Sequence, residues 1–312
     1  MLDEHIWCEV SRISPEAPVP IAKVKHITHV PGGAANVAKN IADLGGVPFL
    51  FGTVGFDSSG DKLMEILQAS HIDDAGIVRT QTRPTILKSR VIAHQQHMVR
   101  VDREDTNPIK PQTQHKLLAA FGTLLPRVGA VLISDYHKGL LTDALVRDII
   151  RLARRYKKPV LVDPKGIKWA KYKHATLLTP NRGETEAAAK FPITDDAALR
   201  RAAQKLLRQL DLNALLVTRS EQGMTLFPRA AAPQHVEAFA REVFDITGAG
   251  DTVIATLALA LGSGLPLLEA VVLANVAASI VVAKVGTATT NIAELGRQLR
   301  ALNPRKVGAV AW

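Results

Sequence analysis

The sequence predicts an α/β fold, a three-layer α/β/α arrangement with a mostly parallel sheet. Short, almost continuously apolar runs alternate with amphipathic stretches of helical spacing through the middle of the chain. Strands of that kind are buried on both faces, as in a parallel sheet covered by helices. With 312 residues, 47% of them hydrophobic, the chain is long enough for one such domain, so we expect a single domain over 1–312.

The predicted elements follow one another in the order expected of this fold. Apolar β-type runs predict strands at 130–133, 159–163, 175–179, 214–218 and 224–227. The amphipathic stretch between the first two strands predicts a helix at 143–156. Polar residues come directly after these strands: Asp135, Asp163, Asn181 and Arg219. Ligands of parallel sheets bind beyond the carboxyl ends of the strands, so we expect the functional site at that edge.

Two segments outside this pattern predict antiparallel strands. Residues 19–30 and 85–102 alternate polar and apolar side chains, as exposed antiparallel strands do, and the second segment should turn back on itself near 94–96.

The segment FDITGAGDT at 244–252, which runs into an apolar stretch, predicts an anion site. Glycines permit a tight turn, and the backbone N–H groups of Gly248, Ala249 and Gly250 would converge at the positive end of the following helix. Asp251 falls in the first turn, where a carboxylate can accept the proton of a hydroxyl that attacks a phosphoryl group. A tight loop in which Asp251 merely caps the helix is the alternative.

A second small-residue segment, PGGAANVAKNIADLGG at 31–46, predicts a helix entered through a glycine turn. Gly32 and Gly33 would let a ligand approach the backbone, and the Asn36 amide would bond sugar hydroxyls. A close-packed helix start without a ligand is the alternative.

Together the two segments, one near each end of the chain, resemble the two motifs of the ribokinase-like carbohydrate kinases, the PfkB family. The resemblance implies a ribokinase-like fold with ATP and Mg²⁺ as cofactors. It also implies a small β lid, formed by segments at about 11–31 and 84–104, that excludes water from the sugar site. It further implies that Asp251 is the catalytic base and that five other residues bind nucleotide: Asn181, Glu184, Arg219, Gly223 and Asn275. Glu184 would organise Mg²⁺ through water.

The same resemblance implies contacts with the sugar and with a monovalent cation. The sugar would be held by Asp3, Gly32, Gly33 and Asn36. Lys165 and Arg100 are candidates for contacting a phosphate, with Arg90 beside them on the lid; an exposed strand position is the alternative for either arginine. Asp245 and Thr247 would border a monovalent cation such as K⁺. Lys284, near Gly286, would make that cation unnecessary, so potassium dependence stays open.

Four further segments, at 11–20, 134–139, 163–166 and 217–224, look like those of the bacterial D-glycero-β-D-manno-heptose 7-phosphate kinases. This narrower resemblance implies ATP-dependent phosphorylation of the anomeric hydroxyl to heptose 1,7-bisphosphate, on the route to ADP-heptose and the lipopolysaccharide core. In many bacteria that kinase is fused to a C-terminal nucleotidyltransferase. The His-x-Gly-His element of that domain does not occur here, so the chain resembles the stand-alone kinase.

Two other functions stay open. Another sugar or nucleoside kinase of the same fold would share the phosphoryl-transfer motifs and differ in the lid and sugar contacts. A catalytically silent sugar-binding regulator would usually lack the base or the magnesium residues, whereas Asp251, Asn181 and Glu184 are all present.

The start of the sequence departs from the heptose kinases, which usually begin with an apolar strand and a Gly-Asp pair ahead of the segment that matches 1–3. We therefore expect the first strand of the fold to be missing from this chain. Loss of a central strand would leave ladder groups of two neighbours unpaired, at a cost on the order of several kcal/mol. We expect the natural protein to start upstream and an extended version to be more soluble and more active.

Composition argues against several other classes of protein. The net charge is +10, but the basic residues are dispersed and aromatic residues make up 4%, so we expect no nucleic-acid partner. The apolar stretches are shorter than the roughly twenty residues that a bilayer requires, so no membrane partner is expected. A single cysteine, Cys8, and no signal peptide fit a cytoplasmic location. By resemblance we expect a homodimer formed through the lid.

Overall fold

The computed structural model describes residues 1–94, 96–240, 243–284 and 286–301 and the backbone of 310–311, and its central element is a sheet of seven strands. From one edge to the other the order is β13 (Val310–Ala311), β12 (Gln234–Val236), β11 (Met224–Pro228), β10 (Ala214–Thr218), β9 (Leu177–Leu178), β8 (Val160–Asp163) and β7 (Val131–Ser134). The strands from β7 to β10 are parallel, and those from β10 to β13 are antiparallel. The parallel half carries the predicted site edge.

Helices cover both faces of this sheet and make the expected three layers. One face carries α1 (Ala34–Asp43), α7 (Ala249–Gly262) and α8 (Leu267–Val281). The other carries α3 (Pro111–Leu124), α4 (Asp143–Arg155), α5 (Arg182–Ala189) and α6 (Asp196–Leu210). Alternate strand residues serve the two layers: Leu161 packs towards the first, and Val160 and Val162 towards the second. Further helices are α2 (Ser58–Ala69) and α9 (Ile292–Ala301).

The predicted elements agree closely with the observed ones. Helix α4 and strands β8, β10 and β11 lie within a residue of their predicted ends, whereas only Leu177–Leu178 of the expected strand at 175–179 pairs as a strand. Within the described residues, no helix is long and apolar enough to cross a membrane.

A separate four-stranded sheet forms the lid, in the order β2 (Pro20–Pro31), β1 (Leu2–Ile13), β5 (Leu87–Ala93), β6 (Gln96–Arg103). The hairpin of β5 and β6 turns at His94, as predicted; position 95 lies outside the described residues. The lid begins earlier than the predicted residue 11, because β1 continues back to Leu2. Along its whole length β1 pairs with β2, and its first half also pairs with β5.

Strand β7 is the edge strand of the main sheet within the described residues. Strands β3 (Phe49–Gly55) and β4 (Asp73–Thr80) form a parallel two-stranded sheet of their own, and among the described residues β3 pairs with β4 alone and β7 with β8 alone. An apolar cavity of about 450 Å³ is lined by residues of both β3 and β7, including Phe51, Val131 and Ile133. A smaller cavity at the carboxyl ends of the same two strands is bordered by Met1. Burial lowers the pKa of the Met1 amino group to about 6.

Candidate active site

The start of α7 lies at the carboxyl-end edge of the sheet, beside the lid. Gly248 precedes the helix with φ of 82°, a left-handed conformation that favours glycine, while Ala249 and Gly250 form the first helical positions. A Cβ added to Gly250 would meet nothing within 4 Å, so the helix start borders open space. The Ala249 amide donates to the Ile246 carbonyl at 3.2 Å. The helix dipole and the other N–H groups of the first turn make this space favourable for an anion.

Asp251, in that first turn, is bonded to two other parts of the chain. Its Oδ2 accepts a hydrogen bond of 2.7 Å from Asn36 Nδ2, and its Oδ1 accepts one of 2.7 Å from the Tyr136 hydroxyl. Burial raises the pKa of Asp251, the two donors oppose that rise, and the charge of Asp3 adds to it. These bonds tie Asp251 to α1 and to the turn after β7, which is not the arrangement of a helix cap.

The glycine turn before α1 packs directly against Asp3 and Tyr136. A Cβ on Gly32 would lie 2.9 Å from Cγ of Asp3, and one on Gly33 would lie 3.2 Å from the Tyr136 ring. Gly33 has φ of 57° and precedes the helix without a side-chain cap. The structure thus brings Asp3, Gly32, Gly33 and Asn36 together beside Asp251.

A buried hydrogen bond joins the two predicted motifs behind the site. Thr252 Oγ1 donates to Asn40 Oδ1 at 2.7 Å, and Asn40 Nδ2 donates to the Asn36 carbonyl at 2.9 Å. Both side chains are fully buried. This link fixes α1 against α7 and so holds Asn36 within hydrogen-bonding distance of Asp251.

Lys165, Asn181 and Glu184 lie together at the next strand ends. Asn181 and Glu184 form a capping box at the start of α5, in which Asn181 Oδ1 accepts from the Glu184 amide at 2.8 Å. Glu184 Oε1 accepts a hydrogen bond from Lys165 Nζ at 2.8 Å, and this ion pair raises the pKa of Lys165. The helix-capping role of Asn181 is therefore built into the fold, and Lys165, which is half exposed, is available to a ligand.

Asp163 interacts electrostatically both with that group and with Asp251. Burial raises the pKa of Asp163 to about 8, and the charges of Asp251 and Glu184 push it in the same direction. Within the described residues, no group of three or more His, Cys, Asp or Glu side chains is arranged to hold a metal ion. Hard carboxylate oxygen, as on Glu184, is nonetheless the ligand chemistry that Mg²⁺ prefers, directly or through water.

Three residues that were predicted to bind the nucleotide contact other parts of the chain further along the sheet edge. Arg219 donates to Asp196 at 2.7 Å and to Gln222 at 2.8 Å. A Cβ on Gly223, whose φ is 81°, would lie 2.2 Å from the Val236 carbonyl, so close packing against β12 requires glycine there. Asn275, buried in α8, donates to the Glu237 carbonyl at 2.6 Å.

Asp245 organises the loop before α7. Its carboxylate accepts from the Thr247 amide at 2.8 Å and from the Gly286 amide at 3.0 Å. Burial would raise the pKa of Asp245, but the hydrogen bonds outweigh it and the net shift is downward. Lys284 donates instead to the Thr289 carbonyl and to Glu294, each at 2.8 Å, so it is engaged away from Asp245.

The two lid arginines differ in what they contact. Arg90 and Arg100 are cross-strand neighbours, and Arg100, more than half exposed, donates to Asp102 at 2.9 Å. Arg90 lies 3.2 Å from Asp3 Oδ1 as an ion pair, without the geometry of a hydrogen bond. Arg90 therefore lies nearer to the Asp3 and Asp251 group than Arg100 does.

Sequence reasoning assigned no role to three residues that the structure brings to this site: Tyr136, Asp163 and Asn40. Asp163 was recognised as a strand-end residue, and Tyr136 follows the strand-end Asp135, so position after a strand was the available signal. Asn40 lies one turn after Asn36 on the same helix face, which was the signal for it.

Comparison with known proteins identifies the class to which this fold and site belong. The profile of the pfkB family carbohydrate kinases matches residues 4–294. The chain belongs to that family and is a carbohydrate kinase.

Its relatives include larger proteins. The chain is 45% identical over 295 residues to the bifunctional protein HldE of Geobacter sulfurreducens and 47% identical over 295 residues to that of Geobacter metallireducens. In each case the match covers 95% of this chain and 60% of the relative, so the chain spans about three fifths of the length of these relatives.

Solved structures of two kinases share the architecture. The chain superposes on ribokinase from Arabidopsis thaliana, complexed with ribose and ATP, with a TM-score of 0.77 at 20% identity, covering 96% of each chain. It superposes on phosphofructokinase-2 from Escherichia coli, in complex with potassium, with a TM-score of 0.79 at 19% identity and the same coverage. The expected ribokinase-like α/β fold is confirmed.

Proposed function

We propose that this carbohydrate kinase transfers the γ-phosphoryl group of ATP to the anomeric hydroxyl of D-glycero-β-D-manno-heptose 7-phosphate, giving the 1,7-bisphosphate. The observation that carries the proposal is the Asp251 carboxylate, held by Asn36 and Tyr136 at the start of α7 beside open space. The narrower choice of sugar rests on the four segments that resemble heptose 7-phosphate kinases. The sequence identity to HldE proteins supports this choice of sugar. Their description as bifunctional fits the fusion to a second domain that heptose kinases have in many bacteria.

In this proposal Asp251 is the general base. The anomeric hydroxyl gives its proton to Asp251 while its oxygen bonds to the γ-phosphorus, and the bond to the bridging oxygen breaks to release ADP. Asp3, Gly32, Gly33 and Asn36 hold the sugar, because Asp3 packs against the glycine turn that precedes α1 and Asn36, on α1, bonds to Asp251. Such positioning is a main part of what a kinase contributes to phosphoryl transfer.

Charge that develops on the transferred group is stabilised by the first turn of α7. The backbone amides of Gly248, Ala249 and Gly250 belong to this turn, and the helix dipole adds to their effect. Magnesium, when bound, neutralises phosphate charge; Glu184 would hold it through water. Asp245 and Thr247 support the loop at which a monovalent cation would act.

Lys165 and the lid arginines are the candidates for phosphate contacts. Lys165 is half exposed and its partner Glu184 lies at the proposed nucleotide site, so the ammonium group can exchange the carboxylate for a phosphate oxygen. Arg90 and Arg100 lie side by side on the lid and fit the resident 7-phosphate of the sugar. Arg219, Gly223 and Asn275, together with Asn181, would border the nucleotide.

We further propose that the lid forms a homodimer interface. Side chains alternate across the lid sheet, so the face opposite Asp3 and Arg90 carries an apolar row: Ile6, Ile27, Val91 and Val99. Val99 is 52% exposed and Ile27 is 47% exposed. An exposed apolar row on a sheet is typical of a surface that a partner covers.

The test is ADP release from magnesium ATP with the purified chain and four acceptors: the heptose 7-phosphate, ribose, fructose 1-phosphate and adenosine. Turnover confined to the heptose phosphate is the expected result. Turnover on a different acceptor would overturn the choice of sugar but keep Asp251 as the base, whereas Asp251→Asn should abolish turnover on whichever acceptor is used.

A further inference from the structure

Tyr136 contacts the proposed base but has been given no role so far. Its hydroxyl donates to Asp251 Oδ1 at 2.7 Å, while the Asn36 amide occupies Oδ2. The ring of Tyr136 also packs against Gly33, within 3.3 Å of where a Cβ would stand. One side chain therefore contacts both the base and the glycine turn beside it.

The Tyr136 hydroxyl is a permanent donor. Burial raises the pKa of Tyr136 far above its usual value, and the neighbouring Asp251 carboxylate raises it further. The phenol thus stays protonated throughout the pH range in which a kinase works, and it offers its proton to a carboxylate at all times. A hydrogen bond donated to a carboxylate favours the ionised form, so the Tyr136 bond opposes the rise in the pKa of Asp251 that burial and Asp3 cause.

The turn that carries Tyr136 is fixed by a buried ion pair at the preceding residue, Asp135. Asp135 is 3% exposed, and its Oδ2 accepts from Lys171 Nζ at 2.5 Å and from the Tyr172 hydroxyl at 2.6 Å. Its Oδ1 accepts from the His137 amide at 2.7 Å. With its neighbours on both sides held in this way, Tyr136 has little freedom to leave Asp251.

Asn36 differs from Tyr136 because it has a second task in the proposed reaction. Its side chain is a proposed sugar contact, so in the proposed reaction its amide turns from Asp251 Oδ2 to a sugar hydroxyl. The Tyr136 hydroxyl, in contrast, has Asp251 as its hydrogen-bond acceptor. The two carboxylate oxygens are therefore not equivalent.

We propose that Tyr136 is a positioning residue for the catalytic base: it holds Asp251 Oδ1 and leaves Oδ2, shared with Asn36, to take the proton of the attacking hydroxyl. This inference rests on the proposed role of Asp251 in phosphoryl transfer. It does not depend on which sugar is phosphorylated.

The charged groups around Asp251 fix the sign of the expected pH effect. Asp3, paired with Arg90, approaches from the lid, and Asp163 approaches from the end of β8. Beyond Asp163 lies the ion pair of Lys165 and Glu184. With acidic groups nearest, removal of one donor raises the pKa of Asp251, and more of the base is then protonated and inactive at a given pH below its midpoint.

The test is Tyr136→Phe, which keeps the ring against Gly33 and removes the hydroxyl. We expect the acid limb of the kcat/KM profile to move to higher pH, with a loss of about tenfold below the midpoint, the effect of one hydrogen bond to a charged group. The alkaline plateau and the KM for ATP should change little. Tyr156→Phe, at an exposed tyrosine of α4's end, is the matched control and should leave the profile in place.

A second measurement needs no substrate. Carboxyl carbon NMR of the full chain with labelled aspartate, assigned with Asp251→Asn, follows the titration of Asp251 directly. A midpoint that rises in Tyr136→Phe supports the inference even if the acceptor that is turned over is not the heptose 7-phosphate, in which case the proposed substrate fails alone. An unchanged midpoint together with an unchanged acid limb would overturn it.

A less direct variant covers the case in which Tyr136→Phe does not fold. Tyr172→Phe removes one bond to Asp135, and a longer one of 3.4 Å from the Lys165 amide, and loosens the turn without touching Asp251. A shift of the acid limb in the same direction, but smaller, is expected. A fully stable Tyr172→Phe protein with an unshifted limb would argue that the turn does not position the base.

Discussion

Asp251 is the residue on which the proposed chemistry depends most. Asp251→Asn keeps the shape of the side chain but removes the proton acceptor, so we expect kcat to fall by roughly two to four orders of magnitude while ATP still binds. Kinetics together with calorimetric titration of ATP measure both effects. Asp148→Asn, on the surface of α4, is the matched control. A variant at Asp251 that kept most of its activity would refute the assignment.

Asp163 should control how stability depends on pH. Its pKa of about 8 in the folded protein exceeds the value of about 4 of an unfolded chain, so the folded state binds more protons between these values. The free energy of unfolding of the ligand-free protein therefore falls as pH rises from about 4 to about 8. Asp163→Asn should flatten this slope and raise the melting temperature at pH 8. Melting curves from pH 5 to 8 test this; an equally steep slope in the variant would contradict it.

At the scale of elements, the buried contact between α1 and α7 keeps the two predicted motifs together. Thr252→Val should leave Asn40 Oδ1 without its donor and lower the free energy of unfolding by about 1–3 kcal/mol. Denaturant unfolding measures the loss. Thr256→Val is the control, because Thr256 is also buried in α7 but bonds to a carbonyl of its own helix. Equal effects of the two changes would show that the contact between helices has no special weight.

The lid sheet makes a prediction about assembly. Val99→Asp would introduce a charge into the apolar row that we propose to be covered by a second copy, and burial of an unpaired charge is costly. We expect the dimer to dissociate to monomers in sedimentation analysis. Val47→Asp, at a valine 74% exposed outside the lid, should leave the dimer intact. A native chain that sediments as a monomer would remove the proposed interface altogether.

Most elements could be predicted from sequence because each depends on local pattern. Strand β10 and helix α4 follow directly from apolar runs and helical spacing, and the glycine at position 248 indicated the turn before α7. The bonds of Asp251 to Asn36 and Tyr136 were not predictable, since they join residues far apart along the chain. Strand β1 was also difficult: its alternation is broken by shifts of register, and its pairing with β5 depends on tertiary position.

At the scale of the whole molecule, the cavity between β3 and β7 is the main departure from a continuous sheet. An apolar segment of about five residues joined ahead of Met1 would span it at about 3.3 Å per residue, pair with both strand edges and replace the buried amino group by an amide. We expect a higher melting temperature and better solubility for such an extended chain. A polar, glycine-rich extension of equal length is the control, and equal stability of the two would contradict the prediction.

The bond from Asn36 to Asp251 spans 215 residues, and that from Asn40 to Thr252 spans 212. Contacts of such sequence separation form late, because a long stretch of chain must be ordered before they gain anything. During synthesis the first motif leaves the ribosome long before the second. The proposed site therefore does not exist on a nascent chain until Asp251 and Thr252 have been made, and the appearance of activity reports that these long-range bonds have formed.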